Sequence, residues 1–235
     1  MVLTLITIYV MWRVLSFIVT IPLGTLGGVE SVAGGINNSG AIVGIAQNGG
    51  GDNSFQAFLY QNGKMQAIGG ALSFYFSPWA INDHGWITGL LSSVPIIGDF
   101  INNDGPITGP PRGFDPTGTQ TVIAALYING QITPLPSLPG SDGSEGLSIN
   151  NSGVIVGNLF GPVIYPFGTF EGVVGGFVYD GQMHNLNDLV GGGWKILSAD
   201  HISDTGLIAA TGYLSDPTVT YGLLLTPNGS SKVVP

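Results

Sequence analysis

The chain has 235 residues, 44% of them hydrophobic and only 8% charged, and 14 acidic against 5 basic side chains leave a net charge of −9. Nothing in that balance could neutralise a phosphate backbone or favour an anionic membrane surface, and the hydrophobic content excludes intrinsic disorder. Cysteine is absent, which excludes disulfide staples, thiolate metal sites and cysteine nucleophiles.

The first 16 residues are mostly apolar and carry one charge, Arg13, the first basic residue. No small-residue cleavage site precedes Gly24, and Arg13 would stand near the middle of any membrane helix, at a cost of about 2.5–3.5 kcal/mol. Residues 1–16 read as a degenerate export segment or a misassigned start, touching a membrane only if left uncleaved. From Phe17 to Leu23 the Val, Ile and Thr content favours a strand.

The rest of the chain, residues 17–235, reads as one repeat domain. One motif occurs four times: Ile36-Asn37-Asn38-Ser39-Gly40-Ala41-Ile42-Val43-Gly44, then Ile81-Asn82-Asp83-His84-Gly85-Trp86-Ile87-Thr88-Gly89, Ile149-Asn150-Asn151-Ser152-Gly153-Val154-Ile155-Val156-Gly157, and Ile202-Ser203-Asp204-Thr205-Gly206-Leu207-Ile208-Ala209. A second motif follows each copy, centred on Asn62-Gly63, Asn129-Gly130, Asp180-Gly181 and Asn228-Gly229. Both are strand-turn-strand units, because Asn, Asp and Gly tolerate the positive φ that tight hairpins need. Two hairpins per repeat make a four-stranded unit of roughly 40–50 residues, the size of a propeller blade.

The strands lack polar alternation. Ala41 to Ala46 and Ala57 to Tyr60 are apolar toward both faces, as expected of a blade covered on each side by a neighbour, not of a sandwich strand with one wet face. The glycine that closes the first three copies is expected to let neighbouring blades approach closely. The prediction is an all-β small β-propeller of about four four-stranded blades, near residues 29–69, 70–136, 137–189 and 190–235. Strand 17–23 would complete the last blade and close the ring. An open partial propeller or a β-solenoid is the structural alternative.

Through Leu23-Gly24-Thr25-Leu26-Gly27-Gly28, Ser31 to Gly40, Ala57-Phe58-Leu59-Tyr60 and the stretch from Ala199 to Pro227, the chain resembles the HAF-repeat family of bacterial extracellular repeat proteins. The resemblance implies export to the outside or surface of a bacterial cell and a propeller-like fold. It implies no activity and offers no catalytic residues. Ser203 departs from it, standing where the repeat carries Asn.

The candidate sites are few. Asn38, Asp83, Asn151 and Asp204 should share one rim, where their oxygens could surround a cation, although turn chemistry is the expected role. The insertion from Val94 to Gln120 has oxygen-bearing residues without the spacing of a calcium loop and reads as a surface excursion. His84, His184 and His201 fall in a turn, an outer strand and an inner strand and do not recur at one position. Gly191-Gly192-Gly193 precedes a strand and is no phosphate loop, and Gly140 to Ser144 misses the nucleophile elbow. No metal and no cofactor are expected.

Phe74, Tyr75, Trp79 and Trp86 enter the second blade as an aromatic group. Exposed, they could stack on sugar rings; packing between blades is the competing role. The expected function is a secreted, non-enzymatic binding or scaffold module for a carbohydrate or a cell-surface protein. Two rivals stand beside it: a glycan hydrolase with carboxylates such as Glu145 and Asp200 at the propeller mouth, and a purely structural adhesion repeat.

Overall fold

A computed structural model describes residues 20–50, 55–69, 75–92, 122–165 and 168–227. The turn motifs do what their chemistry predicts. Asn62 and Gly63 have φ of 52° and 75°, and Asn129 and Gly130 have 49° and 90°, the paired positive values of a two-residue hairpin turn.

Four antiparallel sheets result, each with its strands in chain order. The first holds β1 (Ser31–Ile36), β2 (Ile42–Gln47), β3 (Phe55–Gln61) and β4 (Lys64–Ala67). The second holds β5 (Tyr75–Ile81), β6 (Ile87–Ser92), β7 (Val122–Ile128) and β8 (Gln131–Pro134). The third holds β9 (Gly143–Ile149), β10 (Ile155–Tyr165), β11 (Gly168–Tyr179) and β12 (Met183–Asn185), and the fourth β13 (Lys195–Ile202), β14 (Ile208–Tyr213) and β15 (Tyr221–Leu225). A single helical turn, α1 (Leu186–Leu189), links the last two. Asn185 caps it, and Asn187 exchanges two hydrogen bonds with the backbone of Ile196, tying the link to β13.

The sheets pack in series. The leading strand of each sheet crosses the sheet before it: β5 lies on β1, β2 and β3, β9 on β5, β6 and β7, and β13 on β9, β10 and β11. Three apolar layers fill the joints. Val43, Ala57 and Ile68 meet Phe76, Ile87 and Leu91; Ala124 and Leu135 meet Ile155, Leu159 and Phe177; Val156 and Leu186 meet Ile196, Ala199 and Ile208. Burial of each such large side chain is worth about 1.5–3 kcal/mol.

Every sheet carries a bulge at the same place in its leading strand. The register slips past Gly34, Trp79, Leu147 and Asp200 in turn. A bulge re-aims one side chain and tightens the local twist, and β13 carries a second slip, past Leu197.

This corrects the expected role of the recurrent glycine. Gly44, Gly89 and Gly157 face the bulge of their own sheet, where a Cβ would run into the carbonyl oxygens of Val32, Ser77 and Glu145. The crowding is within a sheet. Close approach between sheets falls to other glycines: a Cβ on Gly34 would stand 2.6 Å from the Pro78 oxygen, and one on Gly35 2.7 Å from the Trp79 oxygen.

The fourth sheet has three strands among the described residues. Thr20–Leu23, expected to supply a fourth, forms no strand; Phe17–Val19 and the segment after Pro227 lie outside the described residues, as does the 94–120 insertion. Among the described strands, none of the first sheet packs broadly on the fourth.

Candidate functional site

The residues that the repeat places together are its turns. In each, the first polar residue turns its oxygen inward. Asn37 Oδ1 accepts from the N–H groups of Ser39 and Ala41, Asn82 Oδ1 from His84 and Trp86, and Asn150 Oδ1 from Ser152 and Val154. The following glycine sits at φ near 80°, for example 80° at Gly40 and 81° at Gly153, which closes the loop.

The amide nitrogen of the same side chain is then free to leave the turn. Asn37 Nδ2 donates to the Asn82 oxygen at 3.0 Å, Asn82 Nδ2 to the Asn150 oxygen at 3.0 Å, and Asn150 Nδ2 to the Ser203 oxygen at 3.1 Å. One asparagine therefore both caps its own turn and grips the next.

The second polar residue adds a parallel row. The backbone N–H of Asn38 donates to Asp83 Oδ1 at 2.9 Å, that of Asp83 to Asn151 Oδ1 at 2.8 Å, and that of Asn151 to Asp204 Oδ1 at 2.8 Å. Side chains run alongside: Asn38 Nδ2 and Asn151 Nδ2 both donate to Asp83 Oδ2, and Asn151 Nδ2 also donates to Asp204 Oδ2. The series alternates Asn, Asp, Asn, Asp, so that each amide stands beside carboxylates and no two carboxylates are adjacent. The Asn38 side-chain amide, then the Asn38 backbone N–H and the Asn151 amide, hold the Asp83 carboxyl below the usual carboxylate range.

The four residues do share a rim, as expected, and the side-chain oxygens of Asp83, Asn151 and Asp204 accept from amide donors of neighbouring turns. What these side chains do in the structure is join one turn to the next, beyond closing their own. No group of three or more His, Asp or Glu side chains suited to a metal occurs among the described residues. The fourth turn departs in one atom group. Ser203 Oγ accepts from Leu207 N at 3.0 Å and so keeps the cap, but serine has no amide to extend toward a further turn.

The aromatic residues divide. Trp79, at the bulge of β5, lies half-buried against Leu90 and Phe160. Trp86 packs among Ile149, Ile155 and Phe177 in the joint between the second and third sheets. Its ring also fills the space over Gly153, where a Cβ would come within 2.6 Å, and lies 5.6 Å from the His84 ring. Tyr75, at the start of β5, is 42% exposed, and Phe74 lies outside the described residues. Of the expected sugar platform, Tyr75 is the described member most open to solvent.

Glu145 is buried in β9, where Asn158 Nδ2 donates to its Oε1 at 3.0 Å. Desolvation raises its carboxyl above the ordinary range, with the Asn158 bond opposing. Asn158 in turn accepts from Ala199 N, carrying the contact into the fourth sheet. Asp200, the bulged residue of β13, accepts instead from Ser198 Oγ at 3.3 Å. Glu145 is thus engaged inside the joint, while Asp200 bonds within its own strand.

The turn ladder is the feature that residue-by-residue reading misses. Its signal was available in the alternation of Asn and Asp at the second motif position and in the one Ser at the first. No family model matches the chain, and no curated protein matches it.

Proposed function

We propose that the chain is an exported, non-enzymatic binding or scaffold module, a propeller-like array of the HAF-repeat kind at the bacterial cell surface. The observation that carries this reading is the fate of the polar residues on the repeat rim. Asn37, Asn82 and Asn150, with Asn38, Asp83, Asn151 and Asp204, spend their hydrogen-bonding capacity on joining one repeat to the next. Side chains used this way fix spacing and stiffness; they are poorly placed to take part in turnover. What such an array offers is a rigid surface with loops attached, the usual arrangement for recognition.

The ligand class is a carbohydrate or a cell-surface protein, met near the entrance of β5, where Tyr75 presents an exposed ring. The test applies the full chain to a glycan array and to immobilised surface proteins of bacterial cells. Binding lowered at least several-fold by Tyr75→Ala, with folding unchanged, supports the reading. Absence of any retained ligand, or hydrolysis of glycans lost in Glu145→Gln, overturns it.

A further inference from the structure

The ladder has two unlike ends. Each of the first three turns donates forward, from its first side-chain amide and its second backbone N–H, and Asn151 Nδ2 also donates back to Asp83. The first turn therefore lacks the acceptances its successors make: the Asn37 carbonyl takes only the Gly40 N–H, and Asn38 Oδ1 accepts from no described residue. In the fourth, the Asp204 N–H has no acceptor among the described residues, and the carboxylate meets only the backbone N–H and side-chain amide of Asn151, both from behind.

The sheet faces above those turns are unlike in the same sense. Ile36 is 66% exposed, whereas its counterparts Ile81 and Ile149 are each 7% exposed, because a preceding sheet covers them. At the other end, Val43, Thr88 and Val156 are fully buried by the sheet that follows, but their counterpart Ala209 is exposed, and Leu224 on the neighbouring strand is 64% exposed. The β1 side of the first sheet's leading face, where Ser31, Ala33 and Ile36 are exposed, and the trailing face of the fourth correspond to the two halves of the joint formed three times inside the chain, although Ala46 and Phe58 further across the first sheet are already buried.

We propose that the trailing face of the fourth sheet docks the leading face of the first sheet of a second copy, head to tail, continuing the ladder across the junction. The order of the series supports this occupant. Asp204 would meet Asn38 of the incoming copy, the same Asp-to-Asn step as Asp83 to Asn151. In that internal step the aspartate N–H donates to the amide oxygen at 2.8 Å and the amide nitrogen donates back to the carboxylate at 2.9 Å. Ile36 and Leu224 would leave water at the same joint. Ser203 withholds one link, since no amide reaches the incoming Asn37 carbonyl, so the junction is weaker than the internal joints and assembles reversibly. A heterologous contact of this kind propagates or closes into a ring, and does not stop at a symmetric dimer.

The proposal is independent of any ligand and is tested on the full chain by sedimentation or light scattering over a concentration series. The mass is expected to rise with concentration. Ile36→Lys blocks one end and Leu224→Lys the other, so each alone stays monomeric. An equal mixture of the two forms a dimer and nothing larger, because one open tail meets one open head. Ser203→Asn restores the missing amide while keeping the cap, and should lower the concentration for assembly by up to about tenfold, the worth of one net hydrogen bond. Far-UV circular dichroism and thermal melts identify a lysine variant that has merely unfolded, and Ser203→Asn keeps the test decisive in that event. A monomer at every concentration in both wild type and Ser203→Asn overturns the proposal, as do assemblies indifferent to both lysines.

Discussion

β6 and β14 hold the same place in their sheets, yet β6 buries all six of its residues while β14 alternates between buried and exposed or half-buried positions. The difference lies in what surrounds them. β6 has a sheet on each face; β14 has the third sheet on one face and no described sheet on the other. The absence of polar alternation that marks this sequence is therefore a property of position between neighbours in β6, and it fades in β14, whereas β2 of the first sheet still buries five of its six residues. Thr88, Val43 and Val156 are dry for the reason that Ala209 is wet.

The largest test of that contrast exchanges equivalent isoleucines for alanine. Ile81→Ala empties a site covered by the first sheet and should cost about 2–5 kcal/mol, read from the urea midpoint. Ile36→Ala, on the uncovered leading face, should stay within about 0.5 kcal/mol of wild type at concentrations where the chain is monomeric. Equal losses at the two sites would mean that the first sheet is covered after all.

The bulges give the next effect. Gly157→Ala forces a methyl into the Glu145 carbonyl and the Phe177 ring, and should cost about 1–3 kcal/mol or more. In β14 the corresponding position already carries Ala210, opposite the slipped register between Ala199 and His201. The fourth sheet bends enough to hold it, so Ala210→Gly should cost about 1 kcal/mol or less in the same measurement.

The turns separate on a smaller scale. Asn82→Ala strips the cap from the His84 and Trp86 N–H groups and cuts the link to the Asn150 carbonyl in a buried turn, a loss of about 1–3 kcal/mol. Ser203→Ala loses the cap on Leu207 and the hydroxyl contact with Thr205 at an exposed turn, and should cost about 1 kcal/mol. A thermal melt of each resolves the two. If the serine variant loses as much as the asparagine variant, the link between turns contributes nothing.

Much of the fold is legible in these residues because local chemistry and periodicity agree. Asn62-Gly63 and Asn129-Gly130 can close little other than a hairpin, and Ala41 to Ala46 cannot form a strand with a wet face. The bulge is harder to see. Nothing in Trp79 or Leu147 marks it, and Gly89 and Gly157 suggest crowding without saying against what; only the register shows the carbonyl of the same sheet. The aromatic group is illegible for a similar reason. Trp86 and Tyr75 are both plausible on a surface, and it is the fold of the neighbouring repeat, bringing Gly153 under the indole, that sends Trp86 inward. The rim was visible as a recurring Asn or Asp, but its partners lie one repeat away, and the sequence distance between partners varies with every insertion.

The smallest effects sharpen the comparison between the wet rim and the dry joint, because the carboxylates there respond to pH with opposite sign. Asp83 is depressed below its unfolded value by the amides of Asn38 and Asn151. Its contribution is present above the unfolded pKa and is lost as pH falls through the folded one, so Asp83→Asn should lie below wild type at neutral pH and converge with it in acid. Glu145 is raised by desolvation. The stability of its protonated form is present below the unfolded pKa and is lost as pH rises through the folded one, so Glu145→Gln should match wild type in acid and exceed it as pH rises. The amide can still accept from Asn158, which keeps the comparison one of charge. Urea midpoints over a pH series read both slopes. The rim effect should shrink in salt, since water surrounds it, whereas the joint should ignore salt because burial shields it from the ions. Glu145→Gln running parallel to wild type at every pH would mean that water reaches the third joint, and that the dryness of β6 does not extend along the array.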